Sequence, residues 1–523
     1  MQQEASSGYD PLGTNTVAGR TEEHKLKKVV GRADTFVVML CALVGLDTLG
    51  AVSSYGAQSI IWLAVLAVLF FVPYAMLCAE LGSTFPEQGG PYVWAKLAFG
   101  KLVASIAAVF YWVSTPVWLG GTLAITGVST FSKFFINLSG FWEYAFAFIF
   151  IWVAIASSVL SFKVGKWIPA IGAYVRVILL SAFTVTVIVY ACVHGVHGFP
   201  ASDFKPTYAV FIVAAPVLFF NFEGFELPST AAGEMTDPRR NVPIAIARGA
   251  IGTVIMYGAP ILAILIVLPV GQINSLGGFI DAIKTVFTVY GGHVTHDGTA
   301  TLSGFGRIFG DIAAAGFIWA VLSSGSSWLM GSDRTQAVAG YDGAAPRFLG
   351  YISLRFGTPI VVNIISGVIS TVMMVLAFAL TSGNAAKYFS VMLSIAVSTS
   401  AFAYCIFFPT LIRLRYKYPD VERPYRVPGG LVGAWIISGL ATLWAIFACV
   451  MLVWPGLGTS NPDASLPTGF AHQRGQFELA QFTPLVAVLI LALIFYWLGT
   501  PTRRKIVPAE NVEQPEAASI ALS

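Results

Sequence analysis

Twelve stretches of this chain are each long and apolar enough to cross a bilayer as a helix, and that repetition leaves few folds open. Crossing the hydrocarbon core takes about 20 apolar residues. The stretches are 35–58, 59–81, 102–132, 144–162, 167–193, 209–232, 249–270, 312–332, 359–380, 388–412, 431–454 and 482–499. Each is continuous instead of alternating, so they read as helices and not as barrel strands. The rest of the chain could not coat a soluble globule. Of the 523 residues 56% are hydrophobic and 11% charged, against about 25% charged in ordinary soluble domains. A soluble multidomain enzyme, a disordered chain and a nucleic-acid-binding protein are excluded on that ground. The fold class is all-α integral membrane, with twelve transmembrane helices.

Basic residues orient such a bundle. With a cytoplasmic N-terminus, 23 Lys and Arg fall inside, against six outside: Lys133, Lys205, Lys284, Arg307, Lys387 and Arg474. Both termini are therefore expected in the cytoplasm of a multi-pass plasma-membrane protein. The domains are a polar cytoplasmic N-terminal tail (1–34), a transporter-sized helical domain (35–499) and a polar cytoplasmic C-terminal tail (500–523), with both tails expected to be mobile. The start lacks the basic-then-apolar leader and cleavage site of a secretory signal. Loop 271–311 is the long external connection, and Gly278–Phe287 fits a short surface helix. No Gly-rich phosphate loop ending in Lys-Ser/Thr occurs, so any uphill work would be driven by gradients. Cys41, Cys78, Cys192, Cys405 and Cys449 fall in apolar runs without metal-ligand spacing, as packing residues do.

Away from the ends of these stretches lie four ionisable residues: Asp47, Arg176, Glu223 and Glu226. A charge at the bilayer centre costs about 2.5–3.5 kcal/mol on insertion scales, so such residues usually face a cavity or a partner. A structural ion pair of Arg176 with one acid is the plainer reading, but one arginine cannot neutralise three acids. Their surroundings are informative. Asp47 sits in Gly45-Leu46-Asp47-Thr48-Leu49-Gly50, and the glutamates in Asn221-Phe222-Glu223-Gly224-Phe225-Glu226-Leu227-Pro228. Both are places where glycine or proline weakens a helix in mid-membrane. Unwound backbone at that depth is tolerated where it lines a cavity, and transporters hold ligands on such half-helix ends. If stretches 1–5 and 6–10 are inverted halves (35–193 and 209–412), the two weak points correspond.

Four loop motifs then carry a resemblance. Ala79-Glu80-Leu81-Gly82 through Gly89-Gly90-Pro91-Tyr92-Val93-Trp94, Gly233-Glu234-Met235-Thr236-Asp237-Pro238, Ser332-Asp333-Arg334 with Gly343–Pro346, and Arg423-Pro424-Tyr425-Arg426-Val427-Pro428-Gly429-Gly430 resemble signatures of amino acid/polyamine/organocation (APC) superfamily permeases, in the same order and across nearly the whole chain. The resemblance implies a LeuT-like 5+5 inverted repeat followed by two further C-terminal helices (431–499). It also implies substrate held between broken helices 1 and 6, with alternating access by proton symport or exchange. In such relatives span 1 often carries a Gly-Ser-Gly stretch that receives a substrate carboxylate; here Gly45-Leu46-Asp47 stands instead. An ionised Asp47 beside a carboxylate would cost about 4 kcal/mol at ~4 Å and an effective dielectric of 20. Asp47 is thus protonated when loaded, faces a cation, or meets the amine end of the substrate. Gly224 and Glu226 match the family's Gly-x-Glu, Phe220 matches an aromatic gate position, and Glu223 replaces an often apolar residue. Arg176 falls near a lysine that stands in for sodium in several relatives. An arginine there keeps its charge and would be a fixed surrogate cation.

The expected function is a secondary active transporter for amino acids or related amines, working by alternating access with proton coupling or exchange. An amine-rich substrate, a polyamine or basic amino acid, is favoured by three midplane acids against one arginine. A zwitterionic or neutral amino acid permease with Asp47 protonated is the alternative, and a substrate-binding membrane sensor a further one. No enzyme is expected, since no nucleophile–base set lies at depth. The candidate substrate site comprises Gly45, Leu46, Asp47, Thr48, Gly50, Phe220, Asn221, Phe222, Glu223 and Gly224, with Trp112 and Ser323 as possible pocket walls. Trp118, Trp319, Trp328 and the serines around Gly325 fit packing equally well. Coupling or gating falls to Asp47, Arg176, Glu223, Glu226 and Phe220. The pairs His194/His197 and His293/His296 lie among loop residues, so no metal site and no cofactor are expected. The partners are the small-molecule substrate, the lipid bilayer and protons; a homo-oligomer is compatible. The heteromeric relatives' external cysteine has no counterpart, so a disulfide-linked subunit is not expected.

Overall fold

The computed structural model describes residues 16–26, 28, 30–160, 165, 167–195, 200–273, 276–295, 298–380, 385–466, 470 and 473–505. Nine of the described helices are long and apolar enough to cross a membrane: Gln58–Thr84, Lys101–Phe134, Phe141–Val159, Trp167–His194, Pro238–Val267, Gly304–Tyr341, Phe389–Lys417, Gly430–Val453 and Arg474–Leu498. The chain is thus a helical multi-pass membrane protein. Stretch 359–380 forms the helix Ile360–Leu380. The first and sixth stretches are interrupted instead, which is why neither counts as one long helix. Arg32–Leu43 stops and Leu49–Ser53 resumes; Tyr208–Asn221 stops and Leu227–Thr230 resumes.

An ended helix leaves four carbonyls without intrahelical partners, and at membrane depth each needs a donor. Three of the four at the end of Arg32–Leu43 have one from another helix, and Leu40 O, one position earlier, closes the helical ladder. Leu40 O accepts from Val44 N at 3.2 Å. Cys41 O accepts from Ser324 Oγ at 3.2 Å, Ala42 O from Trp328 Nε1 at 3.2 Å and Leu43 O from Tyr257 Oη at 2.9 Å. The same Tyr257 hydroxyl accepts from Gly45 N at 2.8 Å. The second break is held similarly: Gly224, at φ +126°, donates its N–H to Tyr74 Oη at 3.1 Å. Gly224 is required there, since that backbone conformation is open only to residues without a Cβ. Pro228 then starts the next helix, where its missing N–H costs nothing.

Both termini meet on one face. Thr16 caps the helix Val17–Glu23, accepting from Gly19 N at 3.0 Å, and donates to Tyr341 O at 2.7 Å. Val17 N donates to Lys505 O at 3.1 Å, and Glu22 Oε2 accepts from Ile352 N at 2.8 Å. Val30 N donates to Glu234 O at 2.9 Å. The expectation of a mobile tail over 1–34 is therefore corrected for residues 16–26 and 30–34. Thr16 and Glu22 serve as a cap and as partners for loop backbone, while Thr21, His24 and Arg32 face outward; residues 1–15 lie outside the described residues.

The loop motifs interlock on this same face. Glu80 takes Arg415 Nε at 2.8 Å, Arg423 Nε at 3.3 Å and the amide of Val427 at 2.7 Å. Burial pulls the guanidinium of Arg423 below its ordinary range, with Glu80 opposing. Glu234 takes Arg334 Nη2 at 3.2 Å and Gln88 Nε2 at 3.3 Å. Asp342 takes Tyr92 Oη at 2.6 Å and Lys101 Nζ at 3.1 Å. Gly90 (φ +28°) lies against Ser229, whose carbonyl carbon is 2.8 Å from where a Cβ would stand. The opposite face carries the expected helix Gly278–Phe287, which is largely buried and not the surface helix read from the sequence, and a hairpin pairing Gly292–Val294 with Ala300–Leu302 that periodicity did not reveal.

Candidate functional site

The two helix breaks place their side chains around a belt of aromatic residues from the helices Lys101–Trp118 and Gly304–Tyr341. Asp47 is buried, and Trp118 Nε1 donates to its Oδ2 at 3.0 Å. Trp118 meets the edge of Phe220 at 5.6 Å between centroids and of Trp328 at 6.3 Å. Glu223 is buried and accepts one bond, from Ser400 Oγ at 3.0 Å. Among the described residues Asp47 Oδ1, Thr48 Oγ1, Glu223 Oε2 and both amide atoms of Asn221 are buried without a hydrogen-bond partner. Buried polar atoms are otherwise nearly always paired. Free acceptors on both breaks, next to aromatic faces, are the chemistry that takes an ammonium group.

Glu226 differs. Its Oε1 accepts from Tyr111 Oη and Tyr404 Oη at 2.7 Å each, and its Oε2 from Tyr74 Oη. With both oxygens engaged, it ties the second break to three helices and offers no free acceptor. Tyr74 is shared between Glu226 and the amide of Gly224. The three tyrosines were missed from sequence. The available signal was a phenol amid apolar residues, whose hydroxyl needs a partner when buried.

Arg176 is fully buried, and no carboxylate lies within 4.0 Å of it among the described residues. Its guanidinium instead donates to Ala320 O at 2.5 Å, Ser324 Oγ at 2.6 Å, Cys41 Sγ at 2.8 Å and Ser323 Oγ at 3.4 Å. The ion-pair reading is thereby replaced. The cation stands beside the last turn of Arg32–Leu43, where a helix C-terminus favours positive charge. Ser323 belongs to this cluster.

Other candidates are dispersed. Gly45 and Leu46 lie in the first break, and Gly50 packs against Gly278 of the outer helix. Phe222 turns away, toward Phe71 at 4.5 Å and Tyr257 at 6.3 Å. Trp112 donates to Ser366 Oγ at 2.8 Å and Asp333 Oδ1 at 3.0 Å, and stacks on Phe495. Asp333 itself was placed in a loop by the stretch 312–332; the helix runs on to Tyr341 and buries it. His194 ends its helix stacked on Tyr190, and His293 is exposed in the hairpin. His197 and His296 lie outside the described residues.

A cavity of about 310 Å³, lined by Tyr55, Pro216, Val217, Ser394, Met451 and Phe477 among others, opens on the face away from the termini. Toward the termini there is about 20 Å³ between Val30, Thr35, Leu227 and Met330.

Interrupted helices presenting buried carboxylates inside a multi-pass bundle define a membrane transporter of the permease class. The chain belongs to the amino acid permease family, whose model matches residues 30–468, within the amino acid/polyamine/organocation superfamily. It is 26% identical to an uncharacterized transporter of Legionella pneumophila subsp. pneumophila over 436 residues, 81% of this chain and 89% of that one. It is 23% identical to a probable agmatine/putrescine antiporter of Lactococcus lactis subsp. lactis over 482 residues, 92% of this chain and 95% of that one. A glutamate/gamma-aminobutyrate antiporter of the same organism is 25% identical over 448 residues, 82% of this chain and 83% of that one.

Proposed function

We propose that this chain is a plasma-membrane antiporter for an amine-rich solute such as a diamine, polyamine or basic amino acid. Asp47 and Glu223 receive the cationic groups, and exchange proceeds by alternating access with both termini cytoplasmic. The observation that carries the reading is the pair of donor-free carboxylate oxygens, Asp47 Oδ1 and Glu223 Oε2, on opposite helix breaks. A solute with two ammonium groups brings one cation and three donors to each oxygen, so neither charge is left unpaired. The similarity to a probable agmatine/putrescine antiporter agrees. In this reading Arg176 is a fixed cation locking the first half-helix, Glu226 with its tyrosines anchors the second, and Phe220 gates the path from the outer cavity. The breaks in the first and sixth stretches support a twelve-helix, five-plus-five inverted repeat with two added helices.

A zwitterionic substrate is the second reading, favoured by the likeness to a glutamate/gamma-aminobutyrate antiporter; Asp47 would then be protonated in the loaded state. Counterflow of radiolabelled putrescine and of radiolabelled glutamate into proteoliposomes separates the two. Putrescine counterflow that Asp47→Asn abolishes, in protein that melts like the wild type, supports the first reading. Glutamate counterflow that survives Asp47→Asn refutes it.

A further inference from the structure

On the face that carries the termini, a groove of about 850 Å³ runs between the start of Lys101–Phe134 and the end of Phe389–Lys417. Phe99, Val103, Ile406 and Pro409 make its apolar wall; Arg413 and Lys417 stand at its rim, with Gly100 on the opposite side. Phe99 is 39% exposed and Leu102 beside it 41%. At Gly100, where φ is +91°, a Cβ would meet nothing within 4 Å, so this side of the groove is open.

The rim carries uncompensated charge. Arg413 and Lys417 lie one helical turn apart and are both exposed. Of the acids on this face, Glu80 is committed to Arg415 and Arg423, Glu234 to Arg334, Asp342 to Lys96 and Lys101, and Glu422 to Arg239, while Asp420 is exposed in the loop beyond the end of the helix. No carboxylate stands within 4.0 Å of Arg413 or Lys417 among the described residues. Lys417 Nζ donates one bond, to Leu97 O at 2.9 Å, and lies 5.6 Å from the centre of the Tyr418 ring, with no carboxylate pairing its charge among the described residues.

We propose that this groove binds an anionic phospholipid of the leaflet on the side of the termini. Its phosphate lies between Arg413 and Lys417, and an acyl chain lies along Phe99, Val103 and Ile406. A free phosphate has no use for the apolar wall. A zwitterionic lipid brings its own cation against the two at the rim. Each basic side chain near a bilayer surface contributes about 1 kcal/mol toward anionic lipid, a factor of roughly five, so removing both weakens binding roughly thirtyfold. The groove joins the helix that carries Trp118 to the one that carries Ser400 and Tyr404. An occupied groove therefore braces two walls of the candidate site.

The test uses full-length protein in detergent, with thermal unfolding read against added phosphatidylglycerol, phosphatidylcholine and inorganic phosphate, and native mass spectrometry for retained lipid. Phosphatidylglycerol alone is expected to raise the melting temperature. In Arg413→Gln/Lys417→Gln the concentration needed rises roughly thirtyfold and the retained anionic lipid is lost. Arg239→Gln, an exposed arginine elsewhere on this face, keeps both. Equal stabilisation by phosphatidylcholine or by phosphate overturns the proposal, as does anionic lipid retained by the double variant. So does a dimer in the mass spectrum that the double substitution dissociates, since a second copy would then fill the groove. Should the double variant not fold, the singles Arg413→Gln and Lys417→Gln each shift the phosphatidylglycerol midpoint roughly fivefold, and an unmoved midpoint in both overturns it.

Discussion

Replacing Tyr257 with phenylalanine isolates the hydroxyl that holds the first helix break. The ring is fully buried and meets Phe222 edge-on at 6.3 Å, a contact phenylalanine keeps. The change removes the donor to Leu43 O at 2.9 Å and the acceptor of Gly45 N at 2.8 Å. Two buried backbone groups lose their partners at about 1–3 kcal/mol each, so the change costs about 2–6 kcal/mol. With an unfolding entropy of about 2.1 cal/mol/K per residue, a chain of 523 residues loses about 1 °C per kcal/mol, a fall of about 2–5 °C. Dye-reported thermal unfolding in one detergent measures it. Tyr290→Phe is the control, because among the described residues that hydroxyl meets just the part-buried Thr186 hydroxyl at 3.2 Å and should shift less than about 1 °C. If Tyr257→Phe melts together with Tyr290→Phe, the break is held by something else and the accounting of its carbonyls is wrong.

Three further outcomes follow from the same reasoning. Arg415→Ala leaves the buried Glu80 with Arg423 as its one remaining cation, beside the Val427 amide, and should cost about 3–5 kcal/mol, seen as a lower melting temperature and poorer yield of monodisperse protein. Gly90→Ala forces a Cβ against Ser229 at a φ of +28° and should cost about 1–3 kcal/mol, whereas Gly252→Ala, where a Cβ meets nothing within 4 Å, should be neutral or stabilising by thermal unfolding. Arg176→Lys should give transport a pH dependence that the wild type lacks, since a buried lysine can release its proton and arginine cannot. Identical pH profiles of uptake would remove Arg176 from its role as a fixed cation.

Much of the architecture was legible because membrane helices announce themselves by length and apolarity, and because helix weakness has local causes. Glycines around Asp47, and Gly224 with Pro228 around the glutamates, marked both breaks within a few residues. What holds the breaks was not legible. Tyr257, Tyr74, Tyr111 and Tyr404 come from helices far apart in sequence, and only their convergence makes each hydroxyl a partner. Asp333 was missed because hydropathy falls where its helix continues, so a buried carboxyl looked like a loop residue. The tail failed for the mirror reason: polarity suggested solvent, whereas Thr16, Glu22 and Val30 pair with loops the sequence could not bring near. Trp112, singled out for the site, shows the limit of depth as a guide. One residue along the helix, Tyr111 reaches Glu226 while Trp112 faces Asp333.

The clasp between Val17 and Lys505 also orders events during synthesis. Its two partners lie far apart in sequence: Thr16, Glu22 and Val30 can meet Tyr341, Ile352 and Glu234 once those segments have been made, but the bond to Lys505 has to wait for the helix Arg474–Leu498 that precedes it. Closure of the clasp is thus a late step in folding, and protection of the helix Val17–Glu23 from limited proteolysis is its mark.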